Sequence, residues 1–179
     1  MRVKDRDFDL FISEADIQAR MEALAQQIDH DYDDDPPILV AVLNGAFVFT
    51  ADLARAITIP SEITFVKVKS YQKLTAAGPP KEFIGLEVPI TNRPVIIVED
   101  IVDSGNTVRY LRQRLGEQRP KSIAIATLLF KPGALKHDLE LAYVGFEIPN
   151  NFVVGYGLDY DGFGRNLRSI YTLTDQKSS

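Results

Sequence analysis

The chain has 179 residues with 25 acidic against 20 basic side chains, a formal charge of −5 at pH 7, and that length suits one domain around a single core. It has no cysteine, which excludes disulfides, thiolate metal sites and a cysteine nucleophile, and only two histidines, His30 and His137, which excludes a three-histidine site. The acidic balance without a basic run argues against duplex nucleic-acid binding, no apolar run approaches the ~18 residues of a membrane helix, and Met1 to Ile12, charged through Asp9, lacks the apolar centre of a signal peptide, so a cytoplasmic setting is expected.

Phe8, Leu10 and Ile12 alternate along a short strand, and Ser13 opens an amphipathic helix with Ile17, Met21, Leu24 and Ile28 at helical spacing. The acidic stretch Asp31 to Asp35 ends in Pro36 and Pro37, which cannot continue a helix, and reads as a solvated connector. Ile38 to Leu43 is continuously apolar, the pattern of a strand covered on both faces, and Ala46 to Ala56 reads as its crossover helix. Ile63 to Ser70 is the next strand. Tyr71 to Lys81, with Gly78, Pro79 and Pro80, reads as a loop longer than the usual ~4–6 residues, a length that marks either disorder or a functional lid. Val95 to Val98 is a second buried strand, followed by a helix from about Thr107 to Gln118, and Ser122 to Phe130 is a third. Shorter strands are expected at Tyr143 to Glu147, Phe152 to Tyr156 and Ile170 to Leu173. Strands alternating with helices predict an α/β domain, a mostly parallel twisted sheet flanked by helices, with ligands at the carboxyl ends of the strands.

The stretch VIIVEDIVDSGNTV, Val95 to Val108, carries the chemistry. An apolar strand delivers adjacent carboxylates, Glu99 and Asp100, with Asp103 three residues on; acids beside a buried strand need cations, water or a hydroxyl-rich ligand. Ser104, Gly105, Asn106 and Thr107 then place small side chains, exposed N–H groups and two hydroxyls at a helix start, which suits a phosphate. Taken alone, the same turn also reads as an ordinary helix cap with solvated acids. Ribose hydroxyls and Mg²⁺ are the partners that acids beside a phosphate cradle fit.

This stretch closely resembles the phosphoribosyl-diphosphate (PRPP) motif of type I phosphoribosyltransferases, and contains neither GxxxxGK[ST] nor GxGxxG. Beyond it, most of the chain is similar to the hypoxanthine-guanine phosphoribosyltransferases. VLNGAFVFTADLAR, Val42 to Arg55, looks like that family's diphosphate-contacting loop, where a dipeptide, here Leu43–Asn44, is cis and Lys usually stands at the position of Asn44. Ser70–Tyr71 matches the opening of the family's mobile lid, although the following QKLTAAGPPKEF matches poorly. TLLFK, Thr127 to Lys131, and VGFEIPNNFVVGYGLDY, Val144 to Tyr160, resemble its purine site almost residue for residue.

The resemblance implies the type I phosphoribosyltransferase fold, a single domain over residues 1–179 with a small purine-binding hood formed from N-terminal and C-terminal segments. It also implies Mg²⁺-dependent transfer of the 5-phosphoribosyl group from PRPP to a 6-oxopurine, hypoxanthine or guanine, giving IMP or GMP and diphosphate, by a homodimer or homotetramer. By that carry-over Glu99 and Asp100 hold the ribose hydroxyls and Mg²⁺, and Asp103 accepts the purine proton. Residues Asp103, Ser104, Gly105, Asn106 and Thr107 hold the 5′-phosphate; Leu43, Asn44, Gly45 and Arg165 meet the diphosphate; Ser70 and Tyr71 belong to the lid. Lys131 hydrogen-bonds the exocyclic oxygen, Phe152 stacks on the base, the Val153 backbone meets its far edge, and Asp159 binds a second Mg²⁺ through water. Gly164 replaces a bulky residue often found before the arginine. A PRPP-binding regulatory module on the same fold and a xanthine-preferring enzyme are the alternatives, while the spacing of Asp100 and Asp103 differs from that of aspartyl-nucleophile phosphatases.

Overall fold

Two strands whose side chains are apolar on both faces sit at the centre, and both faces are covered. The computed structural model describes residues 1–70 and 81–174. In β3 (Ile38–Leu43) and β6 (Pro94–Val102), Leu39, Ala41, Ile96 and Val98 pack under α1 (Glu14–Asp31) and α2 (Phe47–Ala56), whereas Ile38, Val40, Val42, Val95 and Ile97 face Leu111 and Leu115 of α3 (Asn106–Gly116). With β4 (Glu62–Ser70), β5 (Lys81–Gly85), β7 (Ser122–Phe130) and β8 (Tyr143–Glu147), they form a six-stranded sheet in the order β5-β4-β3-β6-β7-β8. Every pairing is parallel except β4 with β5. From β3 the chain winds outward to β4, then crosses back to β6 and runs the other way, so the crevice for a ligand opens at the carboxyl ends of β3 and β6.

A second, four-stranded sheet in the order β1-β2-β10-β9 stands beside that crevice. It joins β1 (Arg2–Val3) and β2 (Arg6–Ile12) to β10 (Ile170–Leu173), which is flanked on its other side by β9 (Val153–Val154). α1 begins where Ser13 Oγ accepts the Asp16 N–H at 3.2 Å, with Glu14 and Asp16 in its first turn, as the helix dipole favours.

Several elements differ from the sequence expectation. β6 runs on to Val102, because β7 supplies ladder partners for Glu99, Ile101 and Val102; the two acids therefore lie on the strand itself, not after it. Lys81 opens β5 rather than closing a loop, and Tyr71, with the rest of residues 71–80, lies outside the described residues. The strand expected over Phe152 to Tyr156 is only Val153–Val154, since Gly155, Tyr156 and Gly157 all take positive φ and turn the chain. No described helix is long and apolar enough to cross a membrane.

Candidate active site

The loop leaving β3 carries the Leu43–Asn44 peptide, which is cis. Asn44 Oδ1 accepts from Lys67 Nζ at 3.3 Å, so an ammonium from the neighbouring strand reaches the Asn44 side chain. Gly45 has no positive φ, and its need for hydrogen in place of a side chain is steric: a Cβ there would overlap Asp100 Oδ2. The sequence reading tied Gly45 to close approach by a diphosphate; the structure supplies a nearer reason in the Asp100 carboxylate. On the other side, Gly157 presses on the Gly45 carbonyl oxygen so closely that a Cβ on Gly157 would overlap it.

Glu99 and Asp100 are the electrostatic centre. Glu99 is 9% exposed and its Oε2 is the buried side-chain oxygen that lacks a hydrogen-bond partner among the described residues. Burial, reinforced by the Asp100 charge, holds the Glu99 carboxyl well above the usual carboxylate range. Burial also pushes Asp100 up, to about 6, against the Ile101 N–H at 2.8 Å and the Arg165 charge. An open, buried carboxylate oxygen beside a second carboxylate fits Mg²⁺, which takes one or two carboxylates and completes its shell with water and substrate oxygens. Among the described residues no three His, Cys, Asp or Glu converge on one ion site.

The raised values have a sign. Asp100 keeps its proton to higher pH in the fold than in the unfolded chain, so its contribution to stability is fully present below its ordinary value of 3.8 and is lost as pH rises through about 6. In magnesium-free buffer, the Tm of Asp100→Asn relative to the parent should therefore rise between about pH 4 and about pH 8. Added Mg²⁺ should raise the parent's Tm alone at the higher pH. A Tm difference that does not change with pH would mean that Asp100 is solvated in the fold.

Past β6 the chain turns through Asp103 and Ser104 to Gly105, the residue capping α3, whose φ of 77 and tight fit against Leu139 exclude a larger residue. The turn from Ile101 to Val108 lines a concavity of about 80 Å³ at the start of α3, where the first-turn N–H groups and the positive helix end favour an anion. His137, read from sequence as a surface residue, is half-buried and places Nε2 at 2.6 Å from Asn106 Oδ1 and Nδ1 at 3.1 Å from Arg109 Nη1. Lys131 is 8% exposed at the end of β7, its N–H donating to the Val102 carbonyl at 2.9 Å, and its ammonium lies 3.6 Å from Asp103 Oδ2.

Just before β9, Phe152 is 46% exposed; it is not core. Its ring leans on fully buried Phe8, with centroids 6.3 Å apart, and meets Tyr160 edge-on at 5.9 Å, so the platform is firm from behind and open in front. Val153 pairs with Thr172. Arg165 donates from Nη1 to the Gly157 carbonyl at 2.7 Å and from Nη2 to Asp159 Oδ1 at 2.6 Å, while Asp159 Oδ2 accepts the Gly162 N–H. Gly164 has φ 96, and a Cβ on it would come within 2.5 Å of Val154 Cγ2, which accounts for glycine before this arginine. Ser70 ends β4, and Tyr71 lies outside the described residues.

The chain is similar to known proteins in sequence and in fold. Residues 13–161 match the family model described as the phosphoribosyl transferase domain. The chain is 46% identical over 164 residues to the hypoxanthine-guanine phosphoribosyltransferase of Mycobacterium tuberculosis, covering 88% of this chain and 81% of that protein. The chain belongs to the hypoxanthine-guanine phosphoribosyltransferase family. Another relative in this family, the hypoxanthine phosphoribosyltransferase of Escherichia coli, is 41% identical over 165 residues, with 90% and 93% covered. A solved Trypanosoma cruzi hypoxanthine phosphoribosyltransferase superimposes with a TM-score of 0.88 at 35% identity over 97% of this chain and 98% of that one. A Bacillus anthracis hypoxanthine-guanine phosphoribosyltransferase gives 0.84 at 39% identity, covering 94% and 98%. As a member of the hypoxanthine-guanine phosphoribosyltransferase family the chain is an enzyme, a transferase on a type I phosphoribosyltransferase fold. The sequence reading missed Lys67, Phe8 and Tyr160 at this site and passed over His137; alternation at Phe8 signalled a buried face but not what would rest on it.

Proposed function

We propose that the chain catalyses Mg²⁺-dependent transfer of the 5-phosphoribosyl group from PRPP to hypoxanthine or guanine, giving IMP or GMP and diphosphate, as a step of purine salvage. The observation that carries this reading is the succession, along β6 and the turn after it, of the buried carboxylate pair and the concavity at the start of α3, with the Lys131 ammonium 3.6 Å from Asp103. Each reaction demand has a residue near it. The purine's ring nitrogen forms a bond to the anomeric carbon as the bond to diphosphate breaks, the diphosphate keeps that bond's electron pair, and the purine's proton passes to Asp103. Mg²⁺, when bound, neutralises the departing diphosphate. Glu99 and Asp100 hold the ribose hydroxyls and stabilise the positive charge that develops on the sugar. The turn from Asp103 to Thr107 anchors the 5′-phosphate, Leu43 to Gly45 with Arg165 cradle the diphosphate, and Lys131 directs its ammonium to a 6-oxo group, with Phe152 stacked on the ring and the small sheet acting as a hood.

Steady-state assays with PRPP, Mg²⁺ and each of hypoxanthine, guanine, xanthine and adenine test the reading. Turnover with hypoxanthine or guanine and much poorer use of adenine is expected. No turnover of any 6-oxopurine despite measurable PRPP binding would favour a regulatory module. Phe152→Ala should raise the purine KM by about 5- to 150-fold, the equivalent of ~1–3 kcal/mol of stacking, and leave the PRPP KM nearly unchanged. A lower Tm with unchanged purine KM would assign the ring to packing alone.

A homodimer or homotetramer fits the same reading. Ile63 and Phe65, opposite Leu39 and Ala41 in the β3–β4 register, are exposed on the sheet face that carries α2, and so is Phe47 at the start of that helix. Sedimentation equilibrium of the parent chain distinguishes these assemblies from a monomer.

A further inference from the structure

Asp52 and Tyr156 stand outside every group assigned above, yet the Tyr156 hydroxyl donates to Asp52 Oδ2 at 2.6 Å. Asp52 lies on α2, the helix whose cap residue Ala46 follows the Leu43 to Gly45 loop directly. Tyr156 lies between β9 and Gly157. It takes φ 50, a left-handed conformation that a bulky L residue adopts only where its surroundings hold it.

Gly157, the next residue, touches both diphosphate-facing groups. Its backbone presses on the Gly45 carbonyl, its own carbonyl accepts from Arg165 Nη1 at 2.7 Å, and its N–H donates to the Arg165 carbonyl at 3.0 Å. The purine-facing residues just before it are held by other means. Val153 and Val154 pair with Thr172 and Tyr171, and Phe152 leans on Phe8 and Tyr160.

We propose that Asp52 and Tyr156 form a positioning pair that fixes Gly157, and through it Arg165, against the Leu43 to Gly45 loop, and so sets PRPP affinity without acting on purine recognition. The assignment rests on the reaction proposed above. Its distinctive content is directional: Tyr156 is three residues past Val153 in sequence, but its influence runs to the other substrate. A cavity of about 460 Å³ between α1 and α2 is lined by Asp52, Arg55 and Tyr156, so water can reach either partner when the other is removed and the fold is not left with a sealed void.

The parent enzyme is assayed first with PRPP, Mg²⁺ and hypoxanthine; absence of turnover there refutes the reaction, and PRPP affinity measured by calorimetry still decides the pair. Tyr156→Phe and Asp52→Ala should each raise the PRPP KM and Kd about tenfold, with the hypoxanthine KM within about twofold of the parent. Asp52→Asn, whose amide oxygen still accepts the phenol, should stay within about twofold throughout, and the double variant Tyr156→Phe/Asp52→Ala should be no worse than either single change. Equal rises in both KM values, an unchanged PRPP KM with a lowered Tm, or an Asp52→Asn variant as impaired as Asp52→Ala would each overturn the proposal. Should Tyr156→Phe fail to fold, the contrast between Asp52→Ala and Asp52→Asn decides alone.

Discussion

Replacing Gly45 by alanine should lower kcat/KM for PRPP by about 10²-fold or more, while Asn44→Ala next to it changes the PRPP KM by no more than about threefold. A methyl group at Gly45 overlaps Asp100 Oδ2, and the loop cannot retreat because Gly157 already presses on the Gly45 carbonyl. Asp100 must therefore swing out of its place beside Gly45, where the proposed reaction needs it to hold the ribose. Hydrogen bonds to a charged group are worth ~1.5–3 kcal/mol each, so displacing the carboxylate removes roughly 10- to 150-fold in affinity per bond lost. Asn44 is different: its side chain is exposed and its one described partner is Lys67, which keeps its charge when the amide is gone. Steady-state kinetics with each substrate varied checks both changes, and Gly45→Val should be worse than Gly45→Ala. If Asn44→Ala proved the more damaging, the amide side chain would be the diphosphate contact.

Asp103→Asn should lower kcat by about 10²-fold or more with PRPP affinity little changed, the loss expected when general-base assistance is removed. The ion pair with Lys131 makes this substitution informative in a second way. Lys131 is nearly buried and its ammonium lies 3.6 Å from Asp103 Oδ2, so an asparagine leaves that ammonium without its carboxylate. If the role of Asp103 were to hold Lys131, the purine KM would rise and kcat would change little. The amides of Glu99 and Asp100 should instead impair the use of PRPP or Mg²⁺. Equal effects of all three substitutions would remove the distinction between a proton acceptor and two ribose ligands.

The parallel core and the acidic turn were legible because their signals are local. Ile38 to Leu43 and Val95 to Val98 announce burial on both faces by unbroken apolar runs, and Glu99 to Thr107 concentrates carboxylates, glycine and hydroxyls within one turn. What escaped depends on contacts between distant residues, which leave no period in the chain. Gly45 reads as a place for a diphosphate to come close to the backbone until Asp100 is placed against it. His137 reads as a surface residue until the turn before α3 brings Asn106 to it. Lys67 is one polar residue in an alternating strand until the β3–β4 register sets it beside Leu43. The end of β6 was misjudged for a related reason: Glu99 and Asp100 look like a terminus by polarity, but β7 continues the ladder beyond them.

The pairing of β2 with β10 gives the domain an order in time. The strands that carry the carboxylates and the turn before α3, β3 to β8, all lie within residues 38–147, whereas Phe8 finds its partner Leu173 far later in the chain. A chain emerging from synthesis can therefore assemble the parallel sheet with its acids and turn first, and the small sheet beside Phe152 closes last, because joining such distant segments carries the largest loop-closure cost.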